Sequence, residues 1–130
     1  MEEKKIEVLI IDDEPDFREL MTYWLHSKGY SVVAAADGQT GIELVKKKCP
    51  DIIFMDLRMP GMDGIQAIDG IRQFNKDVPI IIISAYIDDP KASEANAHGI
   101  SGMFYKGKDF KEGLSLVESV LRRHKKLKKD

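Results

Sequence analysis

The chain has 130 residues, 43% apolar and 32% charged, with a formal net charge of −2, a balance that suits one soluble domain with its own core. No apolar stretch approaches the roughly 20 residues a membrane helix needs, and the charged start Met1-Glu2-Glu3-Lys4-Lys5 does not read as a signal peptide. The single cysteine, Cys49, leaves no internal disulfide and no Cys/His zinc cluster, so a reducing cytoplasm is the expected location.

A first strand is predicted over Ile6–Ile11, followed by Asp12-Asp13-Glu14 and a helix over Pro15–Ser27. Pro15 suits a first helical turn. The intervening loop has neither Gly-x-Gly-x-x-Gly nor Gly-x4-Gly-Lys-Ser/Thr. Its three acids would repel a phosphate unless a metal intervened. Asp12 alone would also serve as a helix cap. Gly29 follows as a C-cap, and a second strand is read over Ser31–Ala35. Asp37-Gly38 marks a turn into a helix over Gly38–Lys47.

The third strand, Asp51–Met55, is apolar through its middle and runs into Asp56. Such a run is buried on both faces, and an acid closing it is costly unless paired. Asp63-Gly64 reads as a turn and the start of a helix over Gly64–Phe74. A fourth strand, Pro79–Ile83, leads into Ser84, and a helix follows over Asp89–Ala97. A fifth strand, Ile100–Tyr105, leads into Lys106 and a helix over Phe110–His124. In that helix Phe110, Leu114, Val117, Val120 and Leu121 form one apolar face.

Five strand–helix units in series predict an α/β protein, a doubly wound (βα)5 three-layer sandwich with a parallel sheet. A single domain over 1–130 is expected, its core at about 5–124. Its basic tail, 122–130, reads as a helix end that offsets the helix dipole. A nucleic-acid reading lacks aromatics and a helix-turn-helix pattern there. Ligands of open α/β folds bind at the carboxyl ends of the strands, where Asp12, Asp13, Asp56 and Ser84 gather if the strands are neighbours. Carboxylates that close need a cation. His26, His98 and His124 lack metal-like partners and are expected at the surface.

Four separated features, Asp12-Asp13, Asp56, Ser84 and Lys106, together resemble the signature of the response-regulator receiver domain of two-component signalling. The likeness extends over about residues 5–124. It is most specific in Met55-Asp56-Leu57-Arg58-Met59-Pro60-Gly61-Met62-Asp63-Gly64 and in Ser84-Ala85-Tyr86. The resemblance implies a flavodoxin-like, chemotaxis-regulator-like fold with strand order 2-1-3-4-5. It also implies that Asp56 is a phosphoacceptor, taking a phosphoryl group from a sensor histidine kinase or a histidine phosphotransfer protein. Asp12, Asp13, Asp56 and the main-chain carbonyl of Arg58 would hold Mg²⁺ or Mn²⁺. Lys106 would pair with Asp56 and then with the phosphoryl group, and Ser84 would donate its hydroxyl to a phosphoryl oxygen. The chain would catalyse only its own phosphorylation and dephosphorylation. It would signal to a downstream protein or a second copy through the helix 4–strand 5–helix 5 face. No membrane partner is implied, and nucleic acid only through an output domain.

Two positions depart from the family pattern. Met103 stands where an aromatic ring usually swings on phosphorylation, and Gly107 stands where proline usually follows the lysine across a cis bond. Either isomer of Lys106–Gly107 is compatible with glycine. Arg58 and Tyr86 stand at the positions that tune dephosphorylation, and both are bulky enough to hinder an attacking water. Three other readings stay open: a receiver excised from a longer regulator, a Mg²⁺-dependent phosphatase, and a phosphorylation-independent interaction module. Arg58 speaks against the phosphatase, which would place an acid/base Asp there.

Overall fold

The computed structural model describes residues 5–86 and 88–124. In chain order the elements are β1 (Glu7–Ile11), α1 (Pro15–Ser27), β2 (Ser31–Ala35), α2 (Gly38–Lys47), β3 (Ile52–Asp56), α3 (Gly64–Arg72), β4 (Ile80–Ser84), α4 (Pro90–Asn96), β5 (Gly102–Tyr105) and α5 (Phe110–Arg123). The five strands form one parallel sheet in the order β2-β1-β3-β4-β5. The expected doubly wound topology is therefore present. Residues 125–130 of the predicted basic tail lie outside the described residues.

Alternation along the strands divides the core in two. Leu9, Ile11, Ile53, Met55, Ile80 and Ile82 pack with Ile42, Val45, Ile65, Ile68, Ile71, Ala92 and Ala95 from α2, α3 and α4. Val8, Ile10, Ile52, Phe54, Ile81 and Ile83 pack with Met21, Leu25, Val117, Val120 and Leu121 from α1 and α5. Each fully buried aliphatic side chain contributes about 1.5–3 kcal/mol. β3 and β4 are buried along their whole lengths because both faces are covered by helices.

The strand ends differ slightly from expectation, in a way that bears on function. β3 and β4 begin and end one residue later than predicted, so Asp56 and Ser84 are the last strand residues themselves. The Asp51 carboxylate accepts from the Glu7 main-chain N–H at 2.8 Å, and Pro79 has no N–H to offer the sheet. Register aligns Asp56 with Ile83 and Ser84 with Tyr105, bringing both to one edge beside Lys106. α3 stops at Arg72 rather than Phe74. The Arg72 guanidinium donates to the carbonyls of Asn75, Val78, His98 and Gly99 and so gathers the loops before β4 and β5. α4 and β5 are correspondingly shorter than predicted. Gly29 has φ +93° and closes α1 as expected.

Candidate functional site

Loops after β1, β3, β4 and β5 enclose an open pocket of about 280 Å³ that includes Asp13, Asp56, Arg58, Ser84, Tyr86 and Lys106. Asp12 lies beneath it, fully buried. Asp12 Oδ1 accepts from the Glu14 N–H at 2.8 Å, and its carbonyl accepts from the Arg18 guanidinium at 2.7 Å. It does not cap α1, whose N-cap is Glu14 with no side-chain capping bond. Asp12 Oδ2 lies 3.0 Å from Lys106 Nζ, but out of line, so this buried oxygen has no hydrogen bond.

Asp12, Asp13 and Asp56 each present one carboxylate oxygen within 4.8 Å of the others. Burial is the main cause that raises the Asp56 carboxyl, with the neighbouring Asp12 charge and a hydrogen bond to Asp13 adding to it. Lys106 and the Arg58 N–H oppose them, and the outcome is a pKa pushed up to about 7. Three hard oxygen donors, one of them buried without a hydrogen bond, fit Mg²⁺ or Mn²⁺ in donor type and charge.

Lys106 is anchored by its main chain, whose N–H donates to the Ser84 carbonyl at 2.8 Å. Its ammonium lies 3.4 Å from Asp56 Oδ2 and also pairs with Glu14. Burial opposes the charge, but Glu14 and Asp12 prevail and its pKa is raised. Beneath it, 4.7 Å away, lies the Phe17 ring. Phe17 stacks on Phe110, which stacks on Trp24 and meets Phe104 at a tilt. Sequence reasoning does not single out Glu14 and Phe17 as partners of the lysine. Their only local signals are an acid extending the Asp-Asp pair and an aromatic in the first turn of α1.

Ser84 is almost wholly buried. Its hydroxyl donates to the Tyr86 carbonyl at 2.8 Å and accepts from the Tyr86 N–H at 3.1 Å, so it is occupied by its own loop. The Tyr86 side chain stands exposed at the pocket mouth. The Arg58 main-chain N–H reaches Asp56 Oδ1 at 3.4 Å. Its guanidinium turns the other way and grips Asp89 through two bonds of 2.8 and 2.7 Å. The Arg58 bonds are the first cause that holds the Asp89 carboxyl below the ordinary carboxylate range. Asp89 also caps α4 by accepting from the Lys91 N–H at 3.0 Å. Asp63 starts α3 through a capping box with Gln66 and pairs with Lys91 at 2.8 Å.

Met103 is largely exposed while Phe104 is buried, as strand alternation requires. The Phe104 ring faces the α5 side and does not substitute for an aromatic at 103. Among the described residues no peptide bond is cis, so Lys106–Gly107 is trans. A Cβ on Gly107 would lie 2.4 Å from the Tyr105 ring, so the ring occupies space that a side chain at 107 would need. His26 and His124 are exposed and His98 is half-buried, 4.0 Å from Asp69.

Fold and site together define a parallel α/β domain with an acidic pocket at the carboxyl edge of its sheet. The family model for the response regulator receiver domain matches residues 8–118, and the chain belongs to that family. It is 30% identical over 114 residues to Sporulation initiation phosphotransferase F of Bacillus subtilis, covering 88% of this chain and 92% of that protein. To the transcriptional regulatory protein GlrR of Escherichia coli it is 34% identical over 109 residues, 84% of this chain but 24% of GlrR. The chain thus spans about a quarter of the length of that regulator. The solved chemotaxis protein CheY4 of Vibrio cholerae superposes with a TM-score of 0.86 at 28% identity, over 91% of this chain and all of that one. Among the described residues no helix is long and apolar enough to cross a membrane.

Proposed function

We propose that this receiver accepts a phosphoryl group on Asp56 from a phosphohistidine of a sensor histidine kinase or histidine phosphotransfer protein. The observation that carries the reading is the Asp56 carboxylate itself. It is 4% exposed, ends a buried strand at the pocket floor, and faces both Lys106 and two further carboxylates. An Asp56 oxygen forms the new P–O bond as the donor's P–N bond breaks, and the departing imidazole takes a proton. A Mg²⁺ or Mn²⁺ ion held by Asp12, Asp13, Asp56 and the Arg58 carbonyl would supply charge neutralisation for the incoming phosphoryl oxygens. Lys106 moves its ammonium from Asp12 and Glu14 to a phosphoryl oxygen, as a point charge on a flexible stem. Ser84 exchanges its bond to the Tyr86 carbonyl for one to another phosphoryl oxygen. That exchange draws the β4–α4 loop inward and biases a two-state equilibrium.

On this reading the chain catalyses only its own phosphorylation and dephosphorylation. Its signal passes through α4, β5 and α5 to a downstream protein or a second copy. A cytoplasmic location accords with the free, exposed Cys49. The match to one quarter of GlrR favours a second reading, in which this receiver governs an output domain on a longer chain.

Incubation with acetyl phosphate and Mg²⁺, followed by intact mass, tests the assignment. One phosphoryl adduct is expected in the wild type and none in Asp56→Asn. An adduct that persists in the Asn variant would place the chemistry elsewhere.

A further inference from the structure

Arg58 stands two residues beyond Asp56, and the two line the same pocket with Ser84. The two halves of its pair with Asp89 differ sharply in freedom. Half of the Arg58 side chain is exposed, whereas that of Asp89 is 1% exposed. The guanidinium therefore has room to turn, and the carboxylate has none unless its backbone moves. Asp89 caps α4, a seven-residue helix whose buried residues are Ala92 and Ala95. So small an apolar anchor leaves the first turn dependent on its polar bonds.

A phosphoryl group on Asp56 would bring a charge of about −1.5 to −2 and three strong acceptor oxygens. A bidentate guanidinium is suited to such a group, which outweighs a single carboxylate as an attractor. If Arg58 turns toward it, Asp89 keeps only its bond from the Lys91 N–H. A buried carboxylate without its cation is strongly unfavourable. Asp89 lines the same open pocket, so once the guanidinium leaves, water enters beside the carboxylate and the first turn of α4 loses its tie to the loop that bears Arg58. Lys91, in that same first turn, still pairs with Asp63 at the start of α3, so the movement is a loosening of the turn and not detachment.

From this asymmetry we infer that the Arg58–Asp89 pair is a latch through which α4 reads phosphorylation: Arg58 leaves Asp89 for the phosphoryl oxygens, and the first turn of α4 is released. The latch rests on Asp56 as the phosphoacceptor and acts without an aromatic residue at 103. Arg58 and Asp89 are then positioning residues for the switch.

Hydrogen–deuterium exchange of residues 90–96, read beside intact mass, tests it on the full chain. The samples are wild type, Asp89→Asn and Arg58→Gln, each with Mg²⁺, before and after acetyl phosphate. Asn retains the capping bond to Lys91, so that variant removes the charge and not the helix start. In the wild type, exchange over 90–96 should rise roughly tenfold with the adduct. Both variants should exchange that fast before phosphorylation and change little after it. An adduct on wild type with 90–96 still protected, or unphosphorylated variants as protected as wild type, would overturn the latch alone. Absence of an adduct on wild type would remove the phosphoacceptor reading and the latch with it, and intact mass separates that case.

Discussion

Lys106 Nζ lies nearer to Asp12 than to Asp56, 3.0 Å against 3.4 Å. The lysine thus neutralises the buried floor of the site at least as much as it does Asp56. Lys106→Met keeps the stem's length and removes the charge. Breaking a buried pair from one side costs about 3–5 kcal/mol, and the open pocket reduces that to ~2 kcal/mol in chelator. Mg²⁺ then has no resident cation to compete with. The rise in Tm on adding Mg²⁺ should be larger in the variant than in wild type, and thermal scans with EDTA or Mg²⁺ check it. An equal rise would mean that the lysine and the metal do not share these carboxylates.

Asp56 gives the metal-free protein a pH dependence of defined sign. Its pKa is about 7 in the fold, against an ordinary 3.8, so the folded state binds this proton more tightly than the unfolded state. The associated stability is complete below about pH 3.8 and is lost as pH rises through about 7. Asp56→Asn carries no such proton. In EDTA at pH 8 it should be more stable than wild type by about 2 kcal/mol, since each tenfold change in proton affinity is worth about 1.4 kcal/mol and the clustered groups share the effect. Near pH 4 the two should converge. Urea denaturation at both pH values measures the difference, and a constant gap would refute the assignment.

Asp12, Asp13, Asp56, Ser84 and Lys106 were legible in the sequence because each follows or ends a strand-like run. A parallel sheet with helices on both faces brings such ends to one edge. Tertiary partners left no comparable trace. Asp89 before Pro90 looks like any helix start, and nothing local shows that both its carboxylate oxygens also accept from Arg58. Phe17 and Phe110 are 93 positions apart, and their stacking depends on how α1 and α5 lie against the sheet. The one-residue slips at β3 and β4 arise from the Asp51 side-chain bond and from Pro79, both of which act only once strands are paired. Gly107 could be recognised as a departure, but the Tyr105 ring above it could not.

The Phe17 ring beneath Lys106 should make a small, separable contribution. Phe17→Leu keeps apolar volume and removes the π face. A double-mutant cycle with Lys106→Met should give a coupling of roughly 0.5–1 kcal/mol, the range for a partly exposed cation–π contact. Chemical denaturation of the four proteins in EDTA supplies the values. A coupling indistinguishable from zero would leave the ring as packing only.

Gly64 sets how closely α3 approaches the end of β3. A Cβ there would stand 2.3 Å from the Asp56 carbonyl oxygen and 2.7 Å from Leu57 Cα. Both are backbone atoms, so no side-chain rotation relieves the contact. The Gly64 N–H also donates to the Leu57 carbonyl at 2.9 Å, which ties the start of α3 to the loop bearing Arg58. In an ordinary helix Gly→Ala would stabilise by up to about 1 kcal/mol. Here the sign reverses, and Gly64→Ala should cost about 2–3 kcal/mol, the scale of overpacking. Because the displaced atoms belong to Asp56 and Leu57, the same substitution should weaken Mg²⁺ binding. Gly70→Ala serves as the control, since a Cβ there meets only the flexible end of Ile42 and should leave Mg²⁺ affinity unchanged. Calorimetric Mg²⁺ titration of the two variants separates a local displacement of the site from a general loss of helix stability.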